Sequence, residues 1–130
     1  MIVVDAGVVF TLVAGAEAAA RDVALRVGNE QMLAPQLVDL EVVSVLRRLV
    51  HHSDFPPSLA AASVRHLAEL DVTRVAHAPL LERCWELRDN LTPYDAAYVA
   101  VAEMVGAPLL TTDRRLAGAP GSRCLIEVLN

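Results

Sequence analysis

Residues 91–116 read LTPYDAAYVAVAEMVGAPLLTTDRRL, and they combine a well-marked helix with a buried strand. Thr92 is suited to cap the helix, and Pro93 to occupy its first position. Apolar residues continue until Gly106, where the helix is expected to end. The apolar run at residues 107–111 predicts one buried strand. A helix that leads directly into a buried strand is typical of a parallel α/β sheet.

The rest of the chain repeats this alternation of strands and helices. Short apolar or β-branched runs predict strands at residues 1–4, 31–34, 71–76 and 124–128. Helical spacing of apolar residues predicts helices at residues 8–14, 16–28, 36–50, 58–70 and 79–88, with a short turn or helix at 114–116. This alternation predicts an α/β fold with a mainly parallel sheet and helices on both of its faces. At 130 residues the chain is expected to form one domain, residues 1–130.

Composition and charge narrow the classes of function. The net charge is −5 and there is no lysine, which argues against nucleic-acid binding by bulk positive charge. A metal-dependent nuclease stays compatible, because divalent cations would neutralise an acidic site. Cys84 and Cys124 are isolated from each other in the sequence, so we expect a reduced, cytoplasmic protein. The four histidines lack zinc-ligand spacing with these cysteines. No apolar run reaches the ~18 residues that a membrane span requires, so no membrane association is expected.

Four acids occupy related positions along the predicted elements. Asp5 directly follows the first strand, and Asp113 follows the strand at residues 107–111. Glu41 lies in the first two turns of the helix after the second strand, and Asp95 lies in the first turn of its own helix. The carboxyl ends of parallel strands and the N-termini of the following helices share one edge of the sheet. We therefore expect Asp5, Glu41 and Asp113 to lie close together, and Asp95 to join them if its helix is another crossover that enters from that edge.

Each acid also has an ordinary structural explanation. Asp95 could be a capping acid, Asp113 a turn residue, and Glu41 a partner of an arginine. However, Glu41 is predicted to lie in an apolar stripe with Leu37 and Val45, where an unpaired charge costs several kcal/mol. Neighbouring carboxylates also resist ionising together. A hard cation with oxygen ligands removes both problems, and Mg²⁺ or Mn²⁺ suits such a site better than zinc.

The chain resembles the PIN-domain toxins of the VapC type, the nuclease halves of toxin–antitoxin pairs. The resemblance rests on MIVVDAGVV at residues 1–9, LEVVSVLRRL at 40–49, the block at 91–116 and the overall length. It implies a three-layer α/β/α sandwich with a mainly parallel sheet, and a ribonuclease that depends on Mg²⁺ or Mn²⁺. It also implies a homodimer and a small VapB-type antitoxin that blocks the site.

The resemblance also assigns roles to individual residues. Asp5, Asp95 and Asp113 match the family's metal-site aspartates, and Glu41 matches its helix glutamate. Thr111 matches a hydroxyl residue that often supports the site. Arg114 and Arg115 are candidates to hold RNA phosphates, although a solvated turn is the slightly favoured explanation.

One residue departs from the family's pattern. Members similar to this chain usually carry Ser, Thr or Asn two residues after the first aspartate, where this chain has Gly7. Loss of a polar group that supports a metal ligand can cost roughly 10–100-fold in metal affinity or activity. A catalytically weak or inactive module that acts through an antitoxin or another protein is therefore the alternative to a ribonuclease.

Two further readings of the sequence bear on function. A phosphoacceptor α/β protein would need a second acid near the strand-end aspartate and a lysine, and both are missing. No GxxxxGK[ST] or GxGxxG motif occurs, so a nucleotide-binding loop is not expected. Trp85 is expected in the core, with an exposed anchor for a partner as the other interpretation.

Overall fold

Five short strands form one sheet in the computed structural model, which describes residues 1–130. They are β1 (Ile2–Val4), β2 (Met32–Pro35), β3 (Val72–Val75), β4 (Leu109–Thr111) and β5 (Ile126–Val128). Their order across the sheet is β3-β2-β1-β4-β5, and every neighbouring pair is parallel. The structure therefore confirms the predicted parallel α/β class.

Seven α-helices connect and cover the strands. They are α1 (Ala6–Ala14), α2 (Glu17–Val27), α3 (Leu37–His52), α4 (Pro57–Glu69), α5 (Leu81–Glu86), α6 (Pro93–Val105) and α7 (Arg114–Gly118). The strand order runs outward from β1 to β3 and then returns through β4 to β5. Because such connections are right-handed, the reversal places the helices before and after β3 on opposite faces. Accordingly α1 contacts α2, α3 and α4, whereas α6 contacts α5 and the sheet.

Two predicted helices differ from the observed ones at their ends. α1 begins at Ala6 rather than at residue 8, because the Asp5 carboxylate caps it and accepts a hydrogen bond from the Val8 N–H at 2.9 Å. The helix predicted at residues 79–88 is a 3₁₀ turn, Ala78–Leu80, followed by the short α5. The other predicted elements agree with the structure to within a few residues.

The core is one cluster of 30 buried residues between the sheet and its two helical layers. β1 is fully buried, as expected for a central strand with helices on both faces. Residues 96–102 of α6 are each at most 5% exposed, and four of these seven residues are alanines. Small side chains let α6 lie close against β1, β2 and β4, which it contacts. The first turn of α6, with Asp95, is thereby held at the carboxyl edge of the sheet.

The expectation that Trp85 lies in the core was wrong. Its side chain is 67% exposed, and the Arg88 guanidinium stacks 4.4 Å from the centre of its ring. The short α5 turns this residue outward and presents Cys84 to the core instead, next to Leu80 of the preceding 3₁₀ turn, which is also buried. Both cysteines are free, and none of the helices has the length and apolar character needed to cross a membrane.

Candidate active site

The carboxyl edge of the sheet brings together elements that carry all four predicted acids. β1 and β4 are neighbours, so Asp5 and Asp113, which follow them, lie at adjacent strand ends. Each also caps the helix that follows, since Asp113 accepts a hydrogen bond from the Arg115 N–H at 2.9 Å. Glu41 lies in the second turn of α3, and Asp95 in the first turn of α6.

Asp5 is the most enclosed of the four, with 9% of its surface exposed. One carboxylate oxygen accepts from the Val8 N–H, and the other accepts from the Thr111 hydroxyl. Burial raises the pKa of Asp5, and the charge of Asp113 adds to that rise. The hydrogen bonds from the Thr111 hydroxyl and from the backbone N–H groups of Val8 and Thr112 lower the pKa in part. The metal-free protein therefore resists ionising this carboxyl.

Thr111 connects two of the acids, as the resemblance implied for a supporting residue. It is fully buried in β4. Its hydroxyl donates to Asp5 and accepts a hydrogen bond from the Asp113 N–H at 2.9 Å. This single hydroxyl ties the loop that carries Asp113 to the carboxylate that follows β1.

Glu41 does not lie in the buried stripe that the sequence predicted. The buried side of α3 is formed by Val38, Val42 and Leu46, and Glu41 flanks it in a partly exposed position. α3 packs against the core through Val38, Val42 and Leu46, and not through the neighbouring row that contains Leu37 and Val45. Glu41 belongs to that neighbouring row and therefore lies at the border of the core. Burial still raises the pKa of Glu41, and the charges of Asp95 and Asp5 raise it further.

Tyr98 is a site residue that the sequence analysis missed. It is 2% exposed, and its hydroxyl donates to Glu41 Oε1 at 2.6 Å. Burial raises the pKa of the Tyr98 hydroxyl, and the charge of Glu41 adds to the effect. Its position, one helical turn after Asp95, was the signal available in the sequence, because residues three apart share a face of a helix.

Neighbouring acids help to raise the pKa of three of the four carboxyls. Burial is the main cause that raises the pKa of Asp95, and the charge of Asp113 adds to it, while Arg115 and the Thr92 hydroxyl lower it. The charge of Asp113 also adds to the rise at Asp5, and the charges of Asp95 and Asp5 add to the rise at Glu41. Such repulsion needs a compensating positive charge if all four acids are to ionise.

The two arginines after Asp113 differ in their contacts. Arg115 binds Asp113 with two hydrogen bonds, Nη2–Oδ2 at 3.0 Å and Nε–Oδ1 at 3.2 Å, which lowers the pKa of that carboxyl. Its side chain is 90% exposed. Arg114 turns away and donates to Asn130 Oδ1 at 2.9 Å. Of the two, Arg115 alone lines a cavity of about 280 Å³ that also includes Asp95 and Asp113.

The donor set fits a hard divalent cation in its chemistry. All candidate ligands are carboxylate oxygens, the type that Mg²⁺ and Mn²⁺ prefer. The side chains are not yet gathered around one point, since no three of them are arranged to hold a single ion. Instead they bond to protein donors: Asp5 to Val8 and Thr111, Glu41 to Tyr98, and Asp113 to Arg115.

Comparison with known families agrees with this fold. The model of the PIN domain matches residues 2–121, and the chain belongs to the PIN-domain family. Its relatives within that family are proteins of the VapC group. It is 42% identical to ribonuclease VapC1 of Mycobacterium tuberculosis H37Rv over 130 residues, which cover 98% of this chain and 96% of the relative.

Solved structures of more distant proteins share the fold. Mycobacterium tuberculosis VapC20, described as a sarcin-ricin loop cleaving toxin, superposes with a TM-score of 0.69 at 19% identity, covering 91% of this chain and 94% of VapC20. VapBC2 of Rickettsia felis, bound to a DNA fragment from its promoter, gives a TM-score of 0.70 at 14% identity, with both chains fully covered. At these identities the likeness concerns the fold alone.

Proposed function

We propose that this protein is a ribonuclease toxin that hydrolyses RNA phosphodiester bonds with the help of Mg²⁺ or Mn²⁺. The observation that carries the proposal is the position of four acids at the carboxyl edge of the sheet, after β1 and β4, in the second turn of α3 and in the first turn of α6. Similarity to curated VapC ribonucleases over almost the whole chain supports the same reaction. Single-stranded loops are the expected RNA substrates, because their backbone is accessible.

Asp5, Asp95 and Asp113 would hold the cation. A bound divalent cation lowers the pKa of a water and stabilises charge on the scissile phosphate. Glu41 would orient the attacking water and accept its proton, because Tyr98 fixes Oε1 and a raised pKa favours proton uptake. Arg115 would exchange its bond to Asp113 for one to a phosphate, which matches the geometry of a guanidinium.

The proposal includes two protein partners. VapBC2 of Rickettsia felis is a complex that binds promoter DNA, and by analogy we propose a VapB-type antitoxin that covers the acidic edge. We also propose a homodimer. Both partnerships are consistent with the large apolar side chains that α3, α5 and α6 expose, among them Leu40, Leu81, Trp85 and Tyr94.

Cleavage of RNA by the purified chain tests the proposed function. We expect cleavage only with Mg²⁺ or Mn²⁺, and we expect Asp5→Asn and Asp95→Asn to abolish it. Asp22→Asn is the matched control, because Asp22 is an exposed acid of α2 on the surface and should leave cleavage unchanged. Metal-independent cleavage, or full activity in Asp5→Asn, would refute the four-carboxylate mechanism.

The alternative is a binding module with little or no catalysis. It is favoured by the bonds that engage three of the four acids within the protein and by Gly7, where the family resemblance led us to expect a polar side chain. Absence of cleavage for any RNA, combined with absence of Mn²⁺ binding, would favour this alternative.

A further inference from the structure

Gly7 lies in the first turn of α1 and faces the loop that follows β4. A methyl group added to Gly7 would lie 2.1 Å from Thr112 Oγ1 and 3.4 Å from Thr112 Cβ. Non-bonded heavy atoms essentially never lie within 3.0 Å of a Cβ, so the Thr112 hydroxyl would have to rotate away from an added methyl group. The Thr112 hydroxyl therefore occupies the volume in which a side chain at position 7 would begin.

The same volume borders the Asp5 carboxylate. The methyl position on Gly7 is 3.5 Å from Asp5 Oδ1, and the Thr112 backbone N–H helps to lower the pKa of that carboxyl. The neighbouring Thr111 hydroxyl is already used within the protein, between Asp5 and the Asp113 N–H. The Thr112 side chain is exposed, so its hydroxyl can bind a ligand from solvent.

We propose that Thr112 is a positioning residue that supplies, from the loop after β4, the polar group that Gly7 does not carry. Its hydroxyl would hydrogen-bond a water molecule that accompanies a cation held by Asp5. The two positions are then complementary: glycine at 7 makes room for threonine at 112, and threonine at 112 replaces a hydroxyl or amide at 7. This inference rests on the proposed metal-dependent function and adds a residue to its site.

The affinity for Mn²⁺, measured by calorimetry in the absence of RNA, tests the hydroxyl. Thr112→Val keeps the shape of the side chain without the hydroxyl, and we expect it to weaken Mn²⁺ binding by roughly 10-fold or more. Thr112→Ser keeps the hydroxyl and should remain within about threefold of the wild type. Metal-free melting temperatures of both variants should match the wild type, and Thr112→Ala provides a second variant without the hydroxyl. Wild-type affinity in Thr112→Val and Thr112→Ala would overturn the proposal.

A swap of the two positions tests their complementarity. We expect Gly7→Ser alone to turn the Thr112 hydroxyl away from Asp5, at a small cost in stability because that side chain is exposed, since the added Cβ would lie 2.1 Å from Oγ1. Gly7→Ser combined with Thr112→Ala removes that clash and should recover both stability and Mn²⁺ affinity, because the serine hydroxyl now borders Asp5. A double variant that folds as well as the wild type but binds Mn²⁺ no better than Thr112→Ala would contradict the inference.

Asp5→Asn in the same titration separates this inference from the proposed function. If Asp5→Asn binds Mn²⁺ as tightly as the wild type, the proposed metal site itself fails. If Asp5→Asn loses Mn²⁺ binding while Thr112→Val keeps it, the role of Thr112 alone fails.

Discussion

At the scale of single residues, three of the four acids at the carboxyl edge of the sheet resist ionisation in the folded protein. Asp5, Glu41 and Asp95 all have a raised pKa, with burial as the first cause. A carboxyl whose pKa is higher in the folded than in the unfolded chain binds more protons when folded. Its charge then destabilises the fold as the pH rises through the raised pKa.

Asp5→Asn is predicted to stabilise the metal-free protein at pH 7. The amide keeps a capping oxygen for the Val8 N–H and removes a buried charge, so we expect a rise in melting temperature of roughly 4 °C per kcal/mol relieved. The difference should shrink as the pH falls through the raised pKa of Asp5, because the protonated carboxyl is also neutral. Thermal unfolding from pH 4 to pH 8 measures it, with Asp22→Asn as control. A lower melting temperature than wild type at pH 7 would contradict the prediction.

Tyr98→Phe is predicted to change the pH dependence of cleavage. The Tyr98 hydroxyl lowers the pKa of Glu41, and its removal should raise that pKa. The acidic limb of the pH–rate profile should therefore move to higher pH, because the ionised Glu41 carboxylate loses a hydrogen-bond donor. Tyr94→Phe is the control, since Tyr94 is 63% exposed. An unmoved limb in Tyr98→Phe would exclude Glu41 as the group that accepts the proton.

At the scale of elements, short strands and helices depend on side chains that tie their ends together. Arg74 of β3 binds Asp39 of α3, with Nη2–Oδ1 at 3.0 Å, and also donates to the carbonyls of Leu67, Leu70 and Val72. The last carbonyls of a helix lack intrahelical partners. Arg74 therefore caps the C-terminal end of α4 while it holds α3 against the edge strand.

Arg74→Ala is predicted to destabilise the fold by about 2 kcal/mol, as expected for the loss of several hydrogen bonds from a charged, half-buried group. Arg65→Ala is the matched control, because Arg65 is exposed on α4 and should change stability by less than ~0.5 kcal/mol. Urea unfolding of the two variants measures the difference. If both variants lost the same stability, the effect would come from the loss of any arginine in this region and not from the contacts that Arg74 makes.

At the scale of the whole molecule, the candidate ligands come from segments far apart in the chain. Asp5 follows β1, Asp95 begins α6, and Asp113 follows β4. An ion that binds all three would join the central strands to α6. Because such an ion binds only the folded state, its binding raises the free energy of unfolding of the entire fold.

Saturation with Mn²⁺ is predicted to raise the free energy of unfolding of the wild type. At 100 times its dissociation constant the gain should be about 2.7 kcal/mol. Asp95→Asn should lose most of this gain, whereas Asp22→Asn should keep it. Thermal unfolding with and without Mn²⁺ gives the measurement, and an equal gain in Asp95→Asn would remove that residue from the ligand set.

Local sequence patterns predicted the class of fold and the edge of the sheet to which the acids belong. Alternating strands and helices indicate a parallel sheet, and connectivity alone assigns Asp5 and Asp113 to the same edge, since local patterns follow the periods of strand and helix. That β1 and β4 are neighbours is known only from the structure. The cap at Thr92 was predicted for the same reason, and its hydroxyl does accept from the Asp95 N–H at 3.2 Å.

The tertiary structure alone decided how side chains from distant segments meet. The bond from Tyr98 to Glu41 joins residues 57 positions apart, and the contact between Gly7 and Thr112 depends on how the first turn of α1 meets the loop after β4. The exposure of Trp85 was likewise known only from the structure, in which the short α5 (Leu81–Glu86) turns this side chain away from the core. The local sequence pattern specifies which face of a helix or strand is apolar. The packing of helices and strands against one another decides which polar groups come into contact, because that packing depends on the whole core.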